Sequence, residues 1–125
     1  MAATLGLVLD CADPEALGKF WSAAIGYEIV GGAGNYVLLV DETGAQPKLL
    51  LQGVDEPKAG KNRMHFDIET STVDEEVARL ESIGARRIVD DAIEEHGVRW
   101  FVMADPEGNE FCVCYDEHEG ALDSS

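Results

Sequence analysis

The amino-acid sequence predicts an α+β fold made of two copies of one module, in which a strand and a helix precede three further strands. Three observations lead to this prediction. Each half opens with a strand-like segment that runs into an amphipathic helix. Three strand-like segments follow each helix. Both helices end at an Ile-Gly pair, at Gly26 and at Gly84, and these two glycines are 58 residues apart.

The first module begins with a half-buried strand over residues 4–10, where leucines alternate with small or polar residues. A helix follows from Pro14, with Asp13 as its N-cap, and Gly26 ends it. Three strands complete the module, at 27–30, 36–40 and 48–52. The glycine-rich segment 31–35 is predicted to be the loop between the first two of these strands. It is not a phosphate-binding loop, because a strand rather than a helix comes after it.

The second module repeats this order. A strand is predicted over 64–69, and Thr72 with Glu75 forms a capping box at the start of a helix that Gly84 ends. The apolar face of this helix consists of Val73, Val77, Leu80 and Ile83. Strands then follow at 86–89, 98–103 and 110–115. The turn 105–109 joins the last two strands.

The repeat also predicts the domain organisation. Each half alone is too short for a secure core, so the modules at 1–53 and 63–115 are expected to form one domain over 1–125. Residues 54–62 are a polar link between them, and 116–125 form an acidic tail.

Composition excludes several classes of function. The chain has 125 residues, and 25 Asp+Glu against 9 Lys+Arg give a net charge of −16. A polyanion such as nucleic acid, or an anionic membrane surface, would repel such a chain. No apolar run reaches the roughly 20 residues that span a bilayer, and no signal peptide is predicted. The three cysteines are expected to be reduced thiols, so the protein is expected in the cytoplasm.

Several sequence segments carry a resemblance to a known family. They are ADPEALGKFW at 12–21, IGY at 25–27, PKAGKNRMH at 57–65 and DPEGN at 105–109. Together with the repeat, they resemble the vicinal oxygen chelate superfamily, the glyoxalase/bleomycin-resistance/dihydroxybiphenyl dioxygenase proteins, and within it the small glyoxalase-like domains. The resemblance implies curved mixed sheets that enclose a cavity. In enzymatic members, residues on the first and last strand of each module bind a divalent metal there.

The positions that the resemblance assigns to metal ligands are only partly filled by donors. In the first module, the first-strand position is Gly6, which has no side chain. In the second module the corresponding position is His65, and the last-strand position is Cys112. For the last strand of the first module, the candidate is Gln52, with Leu50 as the alternative match.

Strand alternation gives a second list of candidates. If the leucines and phenylalanines of the first and last strands pack against the helices, the opposite faces point inward. Those faces carry Gly6, Val8, Asp10, His65, Asp67, Glu69, Glu110, Cys112 and Cys114. The predicted ligand-binding residues are His65, Asp67, Gln52, Glu110, Cys112 and Trp100. Trp100 could either pack beneath the helix or stack on a ligand.

These residues lead to one functional hypothesis and one alternative. The first is metal-independent binding or sequestration of a small molecule, as in drug-resistance proteins, with an amine or a cationic aromatic as the ligand. The alternative is a divalent-metal-dependent lyase, isomerase or dioxygenase with zinc, nickel, manganese or iron held by His65, Cys112, Glu110 and Gln52. Three such ligands with an open position suit zinc best. The resemblance also implies a homodimer.

Overall fold

The computed structural model describes residues 5–60, 65–95 and 97–116. The chain divides into two compact units, Met1–Ala59 and Gly60–Ser125. Among the described residues, each unit holds one helix and one mixed sheet, and neither sheet closes on itself. The predicted α+β class, with a strand–helix–strands order in each half, is confirmed. The single domain over 1–125 and the enclosed cavity stay predictions.

Unit 1 contains a four-stranded sheet covered by one helix. Its elements are β1 (Gly6–Cys11), α1 (Pro14–Ile25), β2 (Glu28–Ala33), β3 (Tyr36–Val40) and β4 (Lys48–Gly53). The strand order is β1-β4-β3-β2; β1 and β4 are parallel, and the other pairs are antiparallel.

Unit 2 contains a five-stranded sheet and the second helix. Its elements are β5 (Phe66–Glu69), α2 (Val73–Ser82), β6 (Arg86–Arg87), β7 (Ile93–Glu95), β8 (Val98–Ala104) and β9 (Glu110–Asp116). The order is β5-β9-β8-β6, and β7 also pairs with β8. Again the first and last strands, β5 and β9, are parallel. Strand β7 was not predicted, because three residues of which two are glutamates give little strand signal.

The core of unit 1 lies between α1 and one face of its sheet. The helix buries an apolar stripe, and one residue of β3 and two alternate residues of β4 are fully buried; these residues are Leu17, Phe20, Trp21, Ala24, Leu39, Leu49 and Leu51. Gly18 allows close packing, because a Cβ there would lie 3.1 Å from Cγ1 of Val37. Asp13 is the predicted N-cap, and its Oδ1 accepts a hydrogen bond from the Ala16 N–H at 3.1 Å. At the other end, Gly26 adopts φ 74°.

Two local predictions about turns were wrong. Thr72 makes no side-chain cap bond to α2; instead the Thr70 Oγ1 accepts from the Thr72 N–H at 3.2 Å, so no capping box forms. The segment 31–33 is not a loop but the end of β2, and only residues 34–35 turn. Gly32 is required there, because a Cβ would lie 2.8 Å from the Tyr36 carbonyl oxygen.

The core of unit 2 follows the same plan. Helix α2 buries Val73, Val77 and Leu80, while β8 and β9 bury Phe101, Met103, Phe111 and Val113. The helix ends at Ser82 with Ile83 as its C-cap, and the predicted Gly84 follows directly; the Gly84 N–H bonds to the Glu81 carbonyl and the Ala85 N–H to the Leu80 carbonyl. The start of the predicted strand at 64, part of the polar link at 61–62 and the tail at 117–125 lie outside the described residues.

Candidate functional site

The predicted site residues of the second half lie on the face of the unit 2 sheet opposite its core. On β9, Phe111 and Val113 are fully buried, so Glu110, Cys112 and Cys114 face the other way. Asp67 of β5 is the ladder partner of Cys112. The alternation predicted from the sequence therefore holds in this unit.

That face forms a pocket of about 380 Å³. Its lining consists of His65, Asp67, Val98, Trp100, Val102, Glu110, Phe111, Cys112 and Cys114. Five of the six predicted ligand-binding residues thus line one pocket, all from unit 2: His65, Asp67, Trp100, Glu110 and Cys112. The volume suits a small molecule.

Three donor atoms converge in this pocket. The His65 Nε2 lies 3.3 Å from the Asp67 Oδ1, and one donor atom from each of His65, Asp67 and Cys112 lies within 4.8 Å of the other two. The side chains of His65 and Asp67 are 50% and 51% exposed. Glu110 lines the same pocket, but among the described residues it does not belong to this group of three. We call His65, Asp67 and Cys112 the donor trio.

The pocket is a region of negative charge. Asp67 and Glu110 contribute carboxylates, and no lysine or arginine occurs among the described residues that line it. Arg99 of β8 points to the other face, where its Nη2 lies 2.8 Å from the Asp74 Oδ1. The hydrogen bond to Asp74 raises the pKa of Arg99 above its ordinary value, so this cation is already engaged away from the pocket.

Trp100 belongs to the pocket and not to the core beneath the helix. Its strand neighbours Phe101 and Met103 are buried on the helix side, whereas Trp100 is half-buried on the opposite side and is the ladder partner of Cys114. Of the two roles considered from the sequence, packing beneath α2 was therefore wrong.

Gln52 lies in unit 1, on the face of β4 opposite the buried Leu49 and Leu51. Its ladder partners are Asp10 on β1 and Tyr36 on β3. In unit 2, Cys112 of the last strand pairs with Asp67 of the first strand. In unit 1 the corresponding pair is Leu50 of the last strand with Val8 of the first strand. The ladder thus makes Leu50 the counterpart of Cys112, and Gln52 the counterpart of Cys114. The role of Gln52 as a ligand stays a prediction.

The turn before β9 fixes where Cys112 lies. Asp105 is fully buried, and its Oδ1 accepts hydrogen bonds from the backbone N–H groups of Glu107 and Asn109, both at 2.9 Å. The Asn109 Nδ2 donates to the Asp105 Oδ2 at 2.9 Å, and Gly108 adopts φ 87°. The motif at 105–109 is therefore a buried, hydrogen-bonded turn that joins β8 to β9.

The comparison with known proteins identifies the family. The model of the glyoxalase-like domain family matches residues 6–114, so the chain belongs to this family and to the vicinal oxygen chelate superfamily. No curated protein matches the chain significantly.

Solved structures share the fold at low sequence identity. A glyoxalase/bleomycin resistance protein/dioxygenase family enzyme from Burkholderia phytofirmans PsJN is 17% identical with a TM-score of 0.77, over 91% of this chain and 99% of that one. A superfamily member from Sphaerobacter thermophilus DSM 20745 is 22% identical with a TM-score of 0.70, over 92% and 98%. TioX from Micromonospora sp. ML1 is 16% identical with a TM-score of 0.64, over 92% and 99%.

The metal set that the resemblance implies does not fit this chain. That set takes a ligand from the first and last strand of each module, and the first-strand position of unit 1 is Gly6, which offers no donor. Its neighbour across the ladder, Lys48, is a cation and not a ligand for a metal ion. No reaction step through a metal of the family type follows from these residues.

The described part of the chain contains no helix that is both long and apolar enough to cross a bilayer.

Proposed function

We propose that this protein binds a small organic cation, an amine or a cationic aromatic, in the pocket of unit 2, without a resident metal ion. One observation carries the proposal. Two carboxylates and a tryptophan line the same pocket of about 380 Å³, and no lysine or arginine occurs among its described lining residues. Low-dielectric walls around such carboxylates concentrate their field on a cation.

The lining supplies two kinds of contact to such a ligand. Asp67 and Glu110 would pair with its positive charge, as carboxylates do with ammonium and amidinium groups. Trp100 would receive a cationic or aromatic group on its ring, and Val98 and Val102 would contact hydrocarbon. A cation–π contact is worth about 0.5–2 kcal/mol, so affinity would depend on both the ring and the carboxylates.

Ligand-observed NMR in a metal-free buffer tests the proposal. The ligands are matched sets of cationic aromatic amines, neutral aromatic amides and anionic aromatic acids. The cationic compounds should bind, and added salt should weaken their binding. Asp67→Asn and Glu110→Gln should each weaken binding about tenfold, which corresponds to roughly 1.4 kcal/mol. Glu28→Gln, an equal charge change on an exposed residue of unit 1, should leave binding unchanged. Binding only by anions, or equal binding by all variants, would refute the proposal.

The second candidate is a metal-dependent lyase, isomerase or dioxygenase. The donor trio favours it, because an imidazole, a carboxylate and a thiol within 4.8 Å of one another can hold a divalent ion. Chelation separates the two candidates. An enzymatic activity that chelation removes, and that one added divalent ion per chain restores, would replace the binding proposal with this one.

We further propose a cytoplasmic homodimer as the setting for this activity. None of the three cysteines is in a disulfide, and two of them line the pocket, which suits a reducing compartment. Light scattering coupled to size-exclusion chromatography measures the mass in solution, and a mass of one chain at micromolar concentration would contradict the dimer.

A further inference from the structure

We infer that the organic cation of the unit 2 pocket is a linear diamine, in which a hydrocarbon spacer holds two ammonium groups about 8 Å apart. This inference rests on the proposed function and adds to it the number and the spacing of the ligand's charges. It follows from the strand register, which sets where the carboxylates and the apolar side chains of the pocket lie relative to one another.

The outward residues of β5, β9 and β8 lie side by side in rows, because these three strands are paired in register. Two neighbouring rows consist of Asp67, Cys112 and Val102, and of Glu69, Cys114 and Trp100. Glu110 lies two residues before Cys112 on β9, so it belongs to the row on the other side of the first one. Since a side chain returns to the same face at every second residue, successive rows are about 6.6–6.8 Å apart.

The two carboxylates of the pocket lie on different rows and different strands. Asp67 and Glu110 both line the pocket, one on β5 and one on β9. One row along the strands and one strand across the sheet separate their Cα atoms by about 8 Å. Two ammonium groups about that far apart would each pair with one carboxylate, and they would neutralise two charges that otherwise repel each other.

The apolar side chains of the pocket lie along β8. Val98, Trp100 and Val102 line it at alternate positions of this strand, so they form a strip that runs beside the carboxylates. Each of the three is only partly buried and keeps surface that can contact a ligand. The methylene groups of a diamine would lie against this strip while its ammonium groups face Asp67 and Glu110. The face is therefore amphipathic in the way that a diamine with a hydrocarbon spacer is.

The net charge of the chain does not by itself select such a ligand. A protein with a net charge of −16 attracts any polycation, whatever the distance between the charges. A fixed distance between Asp67 and Glu110, by contrast, favours one spacer length over shorter and longer ones. Dependence of affinity on spacer length is therefore the property that separates the two explanations.

A series of N-benzyl diamines tests this property. The benzyl group can stack on Trp100, and the spacer between the two nitrogens varies from ethylene to octamethylene. Isothermal titration calorimetry compares each diamine with the N-benzyl alkylamine of the same length, which lacks the second charge. We expect the second charge to tighten binding by about fivefold or more at the best length. That length should be near the pentamethylene spacer, in which the nitrogens are about 8 Å apart when the chain is extended.

Two variants identify the carboxylate that receives the second charge. Glu110→Gln should remove the advantage of each diamine over its monoamine. Glu69→Gln is the matched control, because Glu69 is an exposed acid on the same face, two residues beyond Asp67, but is not among the residues that line the pocket. It changes the net charge equally and should keep both the advantage and the best spacer length. Circular dichroism and thermal unfolding show whether each variant retains the fold.

The possible outcomes separate this inference from the proposed function. An affinity that does not depend on spacer length would overturn the inference, and so would an advantage that Glu69→Gln removes as fully as Glu110→Gln. If the monoamines bind and the second charge adds nothing, the inference fails and the proposed function stands. If none of the cationic compounds binds, the proposed function fails and the inference fails with it.

Discussion

The two units build the same parallel ladder from their first and last strands but place different chemistry on its outer face. On the helix side the pairs are all apolar, such as Leu9 with Leu51 in unit 1 and Phe66 with Phe111 in unit 2. On the outer side, unit 1 pairs Val8 with Leu50, and unit 2 has Asp67 with Cys112 at the same place.

This difference shows that the outer face can change its chemistry without changing the fold. Val8 is 59% exposed and Asp67 is 51% exposed, so neither side chain contributes much buried area to its unit. The ladder positions on the helix side, by contrast, are apolar in both units because they must pack against a helix. Membership of the family therefore does not by itself say which chemistry the outer face performs.

The units also differ in how they use an aspartate at a turn. Asp105 in unit 2 is fully buried and accepts bonds from two backbone N–H groups and the Asn109 side chain. Asp41 in unit 1 makes similar bonds to the Thr43 hydroxyl and the Gln46 N–H at an exposed turn. The bonding pattern is alike, so burial is the variable that separates them.

The largest expected effect is the loss of Asp105. Asp105→Ala leaves the Glu107 and Asn109 N–H groups and the Asn109 amide without their buried acceptor, and each such loss costs about 1–3 kcal/mol. We expect a free energy of unfolding lower by at least about 3 kcal/mol, measured by urea denaturation. Asp41→Ala is the comparison and should lower the unfolding midpoint far less. Equal losses would mean that burial does not distinguish the two turns.

The next effect concerns the glycines of the β2–β3 hairpin. Gly32→Ala would place a Cβ 2.8 Å from the Tyr36 carbonyl oxygen, and relieving that contact should cost about 1–3 kcal/mol of unfolding free energy. Gly31→Ala is the matched control one residue away, where a Cβ would meet no atom within 4 Å. If both variants unfold at the same denaturant concentration, the close approach of the two strands is not what requires glycine.

Exchange of the outer-face chemistry tests the comparison of the ladders. The double variant Asp67→Val/Cys112→Leu gives unit 2 the residues that unit 1 carries at these positions. It should weaken organic-cation binding at least tenfold, with the unfolding free energy changed by no more than about 1 kcal/mol. A double variant that fails to fold would show that the donors also support the sheet.

The sequence predicted most of this architecture because strand alternation and helix ends are local signals. The alternation of apolar residues at Leu49 and Leu51, and at Phe111 and Val113, correctly predicted which strand face is buried. Strand β7 was missed because its pairing with β8, and not its own residues, makes it a strand. The end of β2 was missed because its glycines follow from a close approach across the hairpin, which is invisible along the chain.

The candidate site was predictable as a set but not as an arrangement. Alternation placed His65, Asp67 and Cys112 on inward faces, and the resemblance pointed to His65 and Cys112. Which donors meet depends on the register between strands that lie 45 residues apart at Asp67 and Cys112, and no local pattern encodes that register. The structure groups Asp67, and not Glu110, with the other two.

The smallest expected effect is the pH dependence of the stability that Asp41 contributes at the exposed turn of unit 1. A hydrogen bond from the Thr43 hydroxyl, 2.7 Å from the Asp41 Oδ2, lowers the pKa of Asp41 below its ordinary value, and backbone bonds from Thr43 and Gln46 act in the same direction. The charged carboxylate is therefore favoured in the fold. Its contribution to stability is present above the unfolded-state pKa of about 3.9 and is lost as the pH falls through the lower folded value.

Asp41→Ala should consequently unfold at a lower temperature than the native chain near neutral pH, and this difference should shrink once the pH falls below about 4. Glu42→Ala is the control, because Glu42 is an exposed acid in the same turn whose removal changes the net charge equally. The difference in unfolding temperature between Glu42→Ala and the native chain should change with pH only through the net charge of the whole protein. A difference for Asp41→Ala that persists or grows in acid would mean that the turn depends on the shape of the side chain and not on the charged acceptor. In that case the contrast with Asp105 would come from packing as much as from hydrogen bonding.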